Sequence, residues 1–329
     1  MLCRTANELF WMARHIERAE NTARLLDVTY RTSLLPYQVR EPGLAWAEPW
    51  AVPLITTGLA TSFYATHGSL SAENVLRYMI FDVGNASSIV NCMHAARESA
   101  RSIRGAITSE MYEDLNTAWL EMRTFDYDRV QAIGVQEFCD WVKMRSHLFR
   151  GVTFGTMLRD EAYHFIRLGT HFERADNTAR ILDTKYHILL PSAEDVGGAV
   201  DYYQWQSLLW SVSAFESYRK IYSDVITPRR VAELLVLRDD MPRSLHSCMN
   251  FIHETLEVLC SDNSRELERK AGELHSRLHY AHTDDIIRFG LHEYLVDFLD
   301  RVAVLGEEIS RVFLVPPLPE PMMQSQSQR

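Results

Sequence analysis

No apolar run in this 329-residue chain approaches the length a bilayer demands, which argues against a membrane-spanning helix. The opening Met1-Leu2-Cys3-Arg4-Thr5 does not resemble a signal peptide. Cysteine is scarce: Cys3, Cys92, Cys139, Cys248 and Cys260 are odd in number and show no C-x-x-C spacing. Such a set suits free, mostly buried thiols in a reducing compartment, and the cytoplasm is the expected location. Positive charge is also short, with 34 Lys and Arg against 44 Asp and Glu, for a net charge of −10. This excludes the basic footprint of sequence-independent nucleic-acid binding. Period-two alternation with hairpin turns is missing throughout, which excludes an extended sheet. There is no glycine-rich phosphate loop, no G-x-S-x-G and no His-Glu-x-x-His, so no self-sufficient catalytic apparatus is visible.

What is present is a sentence said twice. Glu17-Arg18-Ala19-Glu20-Asn21-Thr22-Ala23-Arg24-Leu25-Leu26-Asp27 returns 156 positions later as Glu173-Arg174-Ala175-Asp176-Asn177-Thr178-Ala179-Arg180-Ile181-Leu182-Asp183. Only Glu20 to Asp176 and Leu25 to Ile181 differ, both conservatively. The same offset carries Val75, Met79 and Ile80 onto Val231, Leu235 and Val236, Cys92-Met93 onto Cys248-Met249, and Glu98 onto Glu254. The expected fold is therefore all-α: an internally duplicated helical bundle with two pseudo-repeats, 1–156 and 157–315, in one compact unit. The remainder, 316–329, is rich in Pro, Ser and Gln and is expected to be disordered.

Leu9, Met12, Ile16, Ala19, Ala23, Leu26 and Tyr30 recur at steps of three and four, one face of a helix over Thr5 to Leu34. Thr5-Ala6-Asn7-Glu8 fits a capping box at its start. Proline is expected to stop it at Leu34-Leu35-Pro36, and its twin at Leu189-Leu190-Pro191, with loops through Pro42 and Gly43 and through Gly197-Gly198. Tryptophan-bearing helices are expected over Trp50 to Tyr64 and Trp205 to Tyr222, then short helices opening at Ser71-Ala72-Glu73 and Thr227-Pro228-Arg229. Later helices are expected over Glu110 to Arg123, Arg129 to Arg150, Ser264 to Tyr280 and Thr283 to Leu314.

Glu17, Glu20, Asn21, Arg24 and Asp27 share one arc of the first helix, interleaved with apolar Phe10, Ala13 and Val28. A polar row bordered by apolar residues reads as partly buried, and buried charge requires partners. Two readings stay open: a salt-bridge lattice that fixes helix register, or a polar groove lined by this row and its copy, Glu173, Asp176, Asn177, Arg180 and Asp183. Arg97 and Arg101 would add arginines to it, for carboxylate or phosphate contact. A di-metal carboxylate site is not expected, because Glu161-Ala162-Tyr163-His164 matches only Thr5-Ala6-Asn7-Glu8 in the first repeat. His15 and His171 fall nearly opposite the row and read as polar packing. Cys92 and Cys248 sit on apolar faces and read as inert. No metal ligand set is identified.

The opening from Met1 through Glu17-Arg18-Ala19-Glu20-Asn21-Thr22-Ala23-Arg24 closely resembles the bacterial Alpha-E domain family. Phe81-Asp82, Ser87-Ser88-Ile89, Ala96-Arg97-Glu98-Ser99-Ala100-Arg101, Glu110, Leu115-Asn116 and Pro242-Arg243-Ser244 extend the resemblance to about residue 315. Val83 departs from it, since a polar or basic residue commonly follows the Phe-Asp pair. The resemblance implies a helical protein encoded beside, or fused to, a circularly permuted ATP-grasp protein. ATP-grasp enzymes activate carboxylates as acyl phosphates and join them to amines. The implied role is an accessory subunit of a peptide or amide ligase, positioning a peptide or amino-acid substrate, with ATP and Mg²⁺ held by the partner and no cofactor on this chain. The alternatives are a stand-alone enzyme using its paired carboxylates, with or without a metal, and a non-catalytic scaffold; a homo-oligomer is compatible with each.

Overall fold

The structure, a computed structural model, describes residues 1–34, 49–187, 198–261 and 264–316. It is all-helical, with sixteen α-helices and no strand among the described residues. The expected loops through Pro42 and Gly43 and through Pro191 and Gly197, and the tail beyond Pro316, lie outside them. The chain opens with α1 (Cys3–Ser33), a 3₁₀ turn (Pro49–Ala51) and α2 (Val52–Thr56). It continues through α3 (Ala60–His67), α4 (Ala72–Ile80), α5 (Ile89–Ser102), α6 (Ser109–Met122), α7 (Tyr127–Ile133) and α8 (Val135–Thr156). Then come α9 (Glu161–His187), α10 (Ala199–Ser211), α11 (Phe215–Tyr222) and α12 (Pro228–Ala232), which a π turn (Glu233–Leu237) extends. The last are α13 (Leu245–Leu259), α14 (Arg265–His279), α15 (Thr283–Phe289) and α16 (Leu291–Ile309), closed by a π turn (Ser310–Leu314).

Local chemistry explains most of these limits. Ser71, Ser88, Thr227 and Ser244 each sit ahead of a helix and accept a hydrogen bond from the backbone N–H three residues on. Three expectations need correction. The proposed capping box does not form: α1 begins at Cys3 behind Leu2, so Thr5 already lies inside the helix. The Met1 ammonium pairs with Glu161 at 2.9 Å, tying the start of α1 to the start of α9. The helices expected over Arg129 to Arg150 and Thr283 to Leu314 are each broken, at Gly134 (φ 100°) and Gly290 (φ 108°), a backbone region that favours glycine. The two tryptophan-bearing stretches break likewise, beside Gly58 (φ 71°) and at Ser213 (φ 54°).

Helix α1 is the central element, packed against α5, α8, α9 and α10. Its first half, from Ala6 to Ile16, joins a large core with α9, α10, α13, α14 and α16. Its second half, through Ala19, Ala23 and Leu26, joins another built on Trp50, Phe63, Met79, Cys92 and Phe138. Full burial of each Leu or Met in these cores contributes ~1.5–3 kcal/mol. The polar row of α1 lies where one core gives way to the other. Helices α1 and α9 run parallel, because partner numbers rise together from Met1–Glu161 through Phe10–Gly169 to Glu17–Arg174. Gly169 permits the close crossing, since a Cβ there would fall 2.2 Å from the Phe10 carbonyl oxygen.

Candidate functional site

Beyond that crossing the two Glu-Arg pairs exchange partners. Arg174 of α9 donates from Nε and Nη2 to the two carboxylate oxygens of Glu17, at 2.9 and 3.0 Å. Arg18 of α1 donates in the same fork to Glu173, at 2.6 and 3.0 Å. Bidentate pairs of this kind fix orientation as well as charge. Arg14 adds a bond of 2.7 Å to Glu173 and lies over the rings of Trp11 and Phe172. Burial alone would raise the Glu173 carboxyl, but Arg14 and Arg18 outweigh it and hold it at about 2.

On the other side of Glu17 the lattice widens. Arg243 donates to Glu17 at 3.0 Å, to Asn21 Oδ1 at 3.1 Å and to Glu20 at 2.6 Å. Arg150 donates to Glu17 at 2.9 Å and to Glu20 at 2.5 Å, and the Ser146 hydroxyl donates to Glu20 at 2.6 Å. Arg24 completes the set from one turn along α1, donating to Glu20 at 2.8 Å. Glu17 and Glu20 are 1% and 0% exposed, so every lone pair must find its donor within the protein. Burial pushes both carboxyls up; Arg174 and Arg243 bring Glu17 below its usual value, and Arg243, Arg150 and Arg24 bring Glu20 well below. Burial pushes Arg243 down, yet a guanidinium between two carboxylates keeps its charge. These carboxylates are therefore held ionised.

The row opens to solvent at its C-terminal end. A cavity of about 270 Å³ is lined by Arg24, Asp27, Arg31 and Lys143 from α1 and α8, and by Trp210 and Glu216 from α10 and α11. Asp27 accepts from Arg31 at 2.8 Å and from Lys143 at 2.9 Å. Arg24 also donates to the Ser213 hydroxyl, at the left-handed residue that separates α10 from α11. Arg31 is 46% exposed and Trp210 41%, so the cavity presents an indole and the edge of the Arg31 guanidinium that Asp27 does not engage.

The copied row is arranged differently. Glu173 is buried, but Asp176 and Asn177 are half-buried and Arg180 is exposed, paired with Asp176 at 2.8 Å. Asp183 is half-buried and meets His292 Nδ1 at 2.6 Å, with the His292 ring stacked on Tyr186. The two rows thus meet through Glu17, Arg18, Glu173 and Arg174 and do not face each other along their length. Arg97 and Arg101 bind Glu98, and Arg97 also binds Asn116; no hydrogen bond joins them to the row among the described residues. Burial holds His15 at about 4 and drives His171 well down, so both are neutral; His171 stacks on Phe251 at 4.2 Å. Burial also raises the thiols of Cys92 and Cys248 to about 12, which removes them as nucleophiles. Glu161 of the Glu-x-x-His segment is exposed and engaged with the Met1 ammonium.

Residues that sequence reasoning left out carry much of the lattice: Arg14, Arg18, Arg150, Arg174, Arg243, Ser146 and Lys143. The repetition of the Glu-Arg pair was a usable signal for Arg18 and Arg174. Arg243 stood within Pro242-Arg243-Ser244 without an assigned role, and nothing local marks Arg150 or Lys143 as partners of α1.

A family model named Alpha-E, described as a predicted alpha-helical domain with a conserved ER motif, matches residues 1–314. Glu17-Arg18 and Glu173-Arg174 are the Glu-Arg pairs that interlock at the crossing of α1 and α9. An uncharacterized protein of Mycobacterium bovis is 24% identical over 305 residues, covering 86% of this chain and 33% of the relative. An uncharacterized protein of Mycobacterium tuberculosis matches with the same identity and coverage. The chain therefore spans about a third of the length of these relatives. No solved structure matches. Among the described residues, no helix is long and apolar enough to cross a membrane.

Proposed function

The chain belongs to the Alpha-E family, and on that footing we propose that it is the helical partner of a circularly permuted ATP-grasp ligase, positioning a peptide or amino-acid substrate in a reaction that forms an amide bond. Family resemblance supplies the partner class. The observation that carries the substrate class is the cavity at the open end of the row, which Arg31 and Lys143 line together with Asp27, Glu216 and Trp210. A guanidinium suits a carboxylate end, acidic groups suit an ammonium, and an indole suits the chain between them. ATP and Mg²⁺ belong to the partner in this scheme. The free thiols fit a reducing compartment such as the cytoplasm.

The alternative, acid/base catalysis by the paired carboxylates, is less well supported. A general acid or base functions best with a pKa near the working pH. Glu17, Glu20 and Glu173 are held far below it and lie out of reach of solvent. In our reading the lattice is a scaffold that holds the cavity in shape.

We also read the two halves as pseudo-repeats. In support, α7 and α15 begin and end 156 positions apart, Gly134 and Gly290 share a positive φ, Ser88 and Ser244 cap equivalent helices, and the Glu-Arg pairs exchange partners reciprocally. The partnership is tested by co-expressing the full chain with the ATP-grasp protein encoded beside it and following co-elution and ATP hydrolysis. A stable complex whose ATP turnover depends on this chain is expected; separate elution with unchanged turnover would sink the proposal.

A further inference from the structure

Away from the charged row, α13 and α14 bring three imidazoles together. His246 lies in the first turn of α13, and His275 and His279 are four residues apart on one face of α14. One ring nitrogen from each lies within 4.8 Å of the others. The ring centroids are 5.4 to 5.9 Å apart.

The hydrogen bonds of two of these rings fix which nitrogen keeps its lone pair. His246 Nδ1 lies 2.8 Å from the Leu237 carbonyl, which can only accept, so Nδ1 carries the proton and Nε2 the lone pair. That Nε2 is buried and has no hydrogen-bond partner among the described residues, on a residue only 6% exposed. His275 Nε2 donates to Asn250 Oδ1 at 2.7 Å, which leaves Nδ1 as its lone pair. Metal-binding histidines are oriented in this manner, one nitrogen tied to a carbonyl or amide oxygen and the other free to ligate.

We propose that His246, His275 and His279 form a binding site for a divalent late first-row transition ion, with Zn²⁺ as its best fit and a fourth position open to water. The group contains three nitrogens and no carboxylate or thiolate, which selects against Mg²⁺ and Ca²⁺. Tetrahedral Zn²⁺ at ~2.0–2.1 Å from each nitrogen separates the ligands by about 3.4 Å. His279 is exposed, so its ring has room to turn toward the other two as the ion binds. The positions 156 residues earlier are Val90, Trp119 and Arg123, so the site belongs to the second half alone. It does not depend on the ligase partnership.

The test uses tag-free full-length protein, stripped with chelator, loaded with Zn²⁺, desalted and analysed for metal, with affinity measured against a chromophoric chelator. About one equivalent of zinc is expected on the wild type, with an upward shift in melting temperature that Mg²⁺ does not produce. His279→Gln and His275→Gln should each weaken binding at least about tenfold, with helical circular dichroism and metal-free melting unchanged. His253→Gln, beside the cluster but outside it, should bind as the wild type does. No retained zinc, or retention unaltered by His279→Gln and His275→Gln, would overturn the assignment. Because His279 is exposed, its variant remains informative even where replacing buried His246 prevents folding.

Discussion

Glu17 accepts four hydrogen bonds from three arginines that stand 133, 157 and 226 positions along the chain. A helical wheel places Glu17, Glu20 and Asn21 on one arc and so detects a buried polar row. It carries no information on which distant guanidiniums will meet that row, because those contacts exist only once the helices have packed. Glu173 gives the clearest consequence. Its folded pKa of about 2 lies below the 4.5 usual for a glutamate, so its contribution is complete above about pH 4.5 and is lost as pH falls toward 2. That contribution is on the order of 3 kcal/mol for a group with a side chain 7% exposed. Denaturant unfolding from pH 7 to 2 should show this loss in the wild type. Glu173→Gln should be less stable at pH 7 and lack that part of the acid decline; superimposable profiles would contradict the assignment.

Among the elements, the long helices were legible because their apolar residues keep a period near 3.6 over many turns. Their interruptions were not. Gly134 and Gly290 lie inside stretches whose apolar pattern continues on both sides, and a glycine's positive φ leaves no mark on periodicity. Thr5-Ala6-Asn7-Glu8 has the composition of a capping box, but the Met1–Glu161 ion pair anchors the chain earlier and the helix starts at Cys3. At the α1–α9 crossing, Gly169 matters for contact and not for conformation. Gly169→Ala would drive a methyl group against the Phe10 carbonyl and part the two helices. The expected cost is ~1–3 kcal/mol, read as a lower denaturation midpoint; wild-type stability would mean the crossing is looser than described.

At the scale of the whole molecule, the repeated eleven-residue stretch does not meet two equivalent surroundings. The first copy of the row is buried, and its C-terminal end opens into a charged cavity completed by α8, α10 and α11. In the second copy Glu173 stays buried, but Asp176, Asn177 and Asp183 are half-buried and Arg180 is exposed, although nine of its eleven residues are identical. Burial depends on what the rest of the chain places over each helix, which is why the two rows read alike in sequence and differ in structure. The buried lattice holds the fold, and on the proposed function the cavity beside it receives the substrate. The most direct test is the rate of amide-bond formation by the proposed ATP-grasp partner reconstituted with wild-type, Arg31→Ala or Lys143→Ala chain. Each replacement removes charge-assisted contacts of ~1.5–3 kcal/mol, so roughly a ten- to hundredfold loss of rate is predicted with complex formation preserved, alongside a lower melting temperature because Asp27 loses one of its two cations. Rates equal to wild type in both variants would contradict the cavity's role.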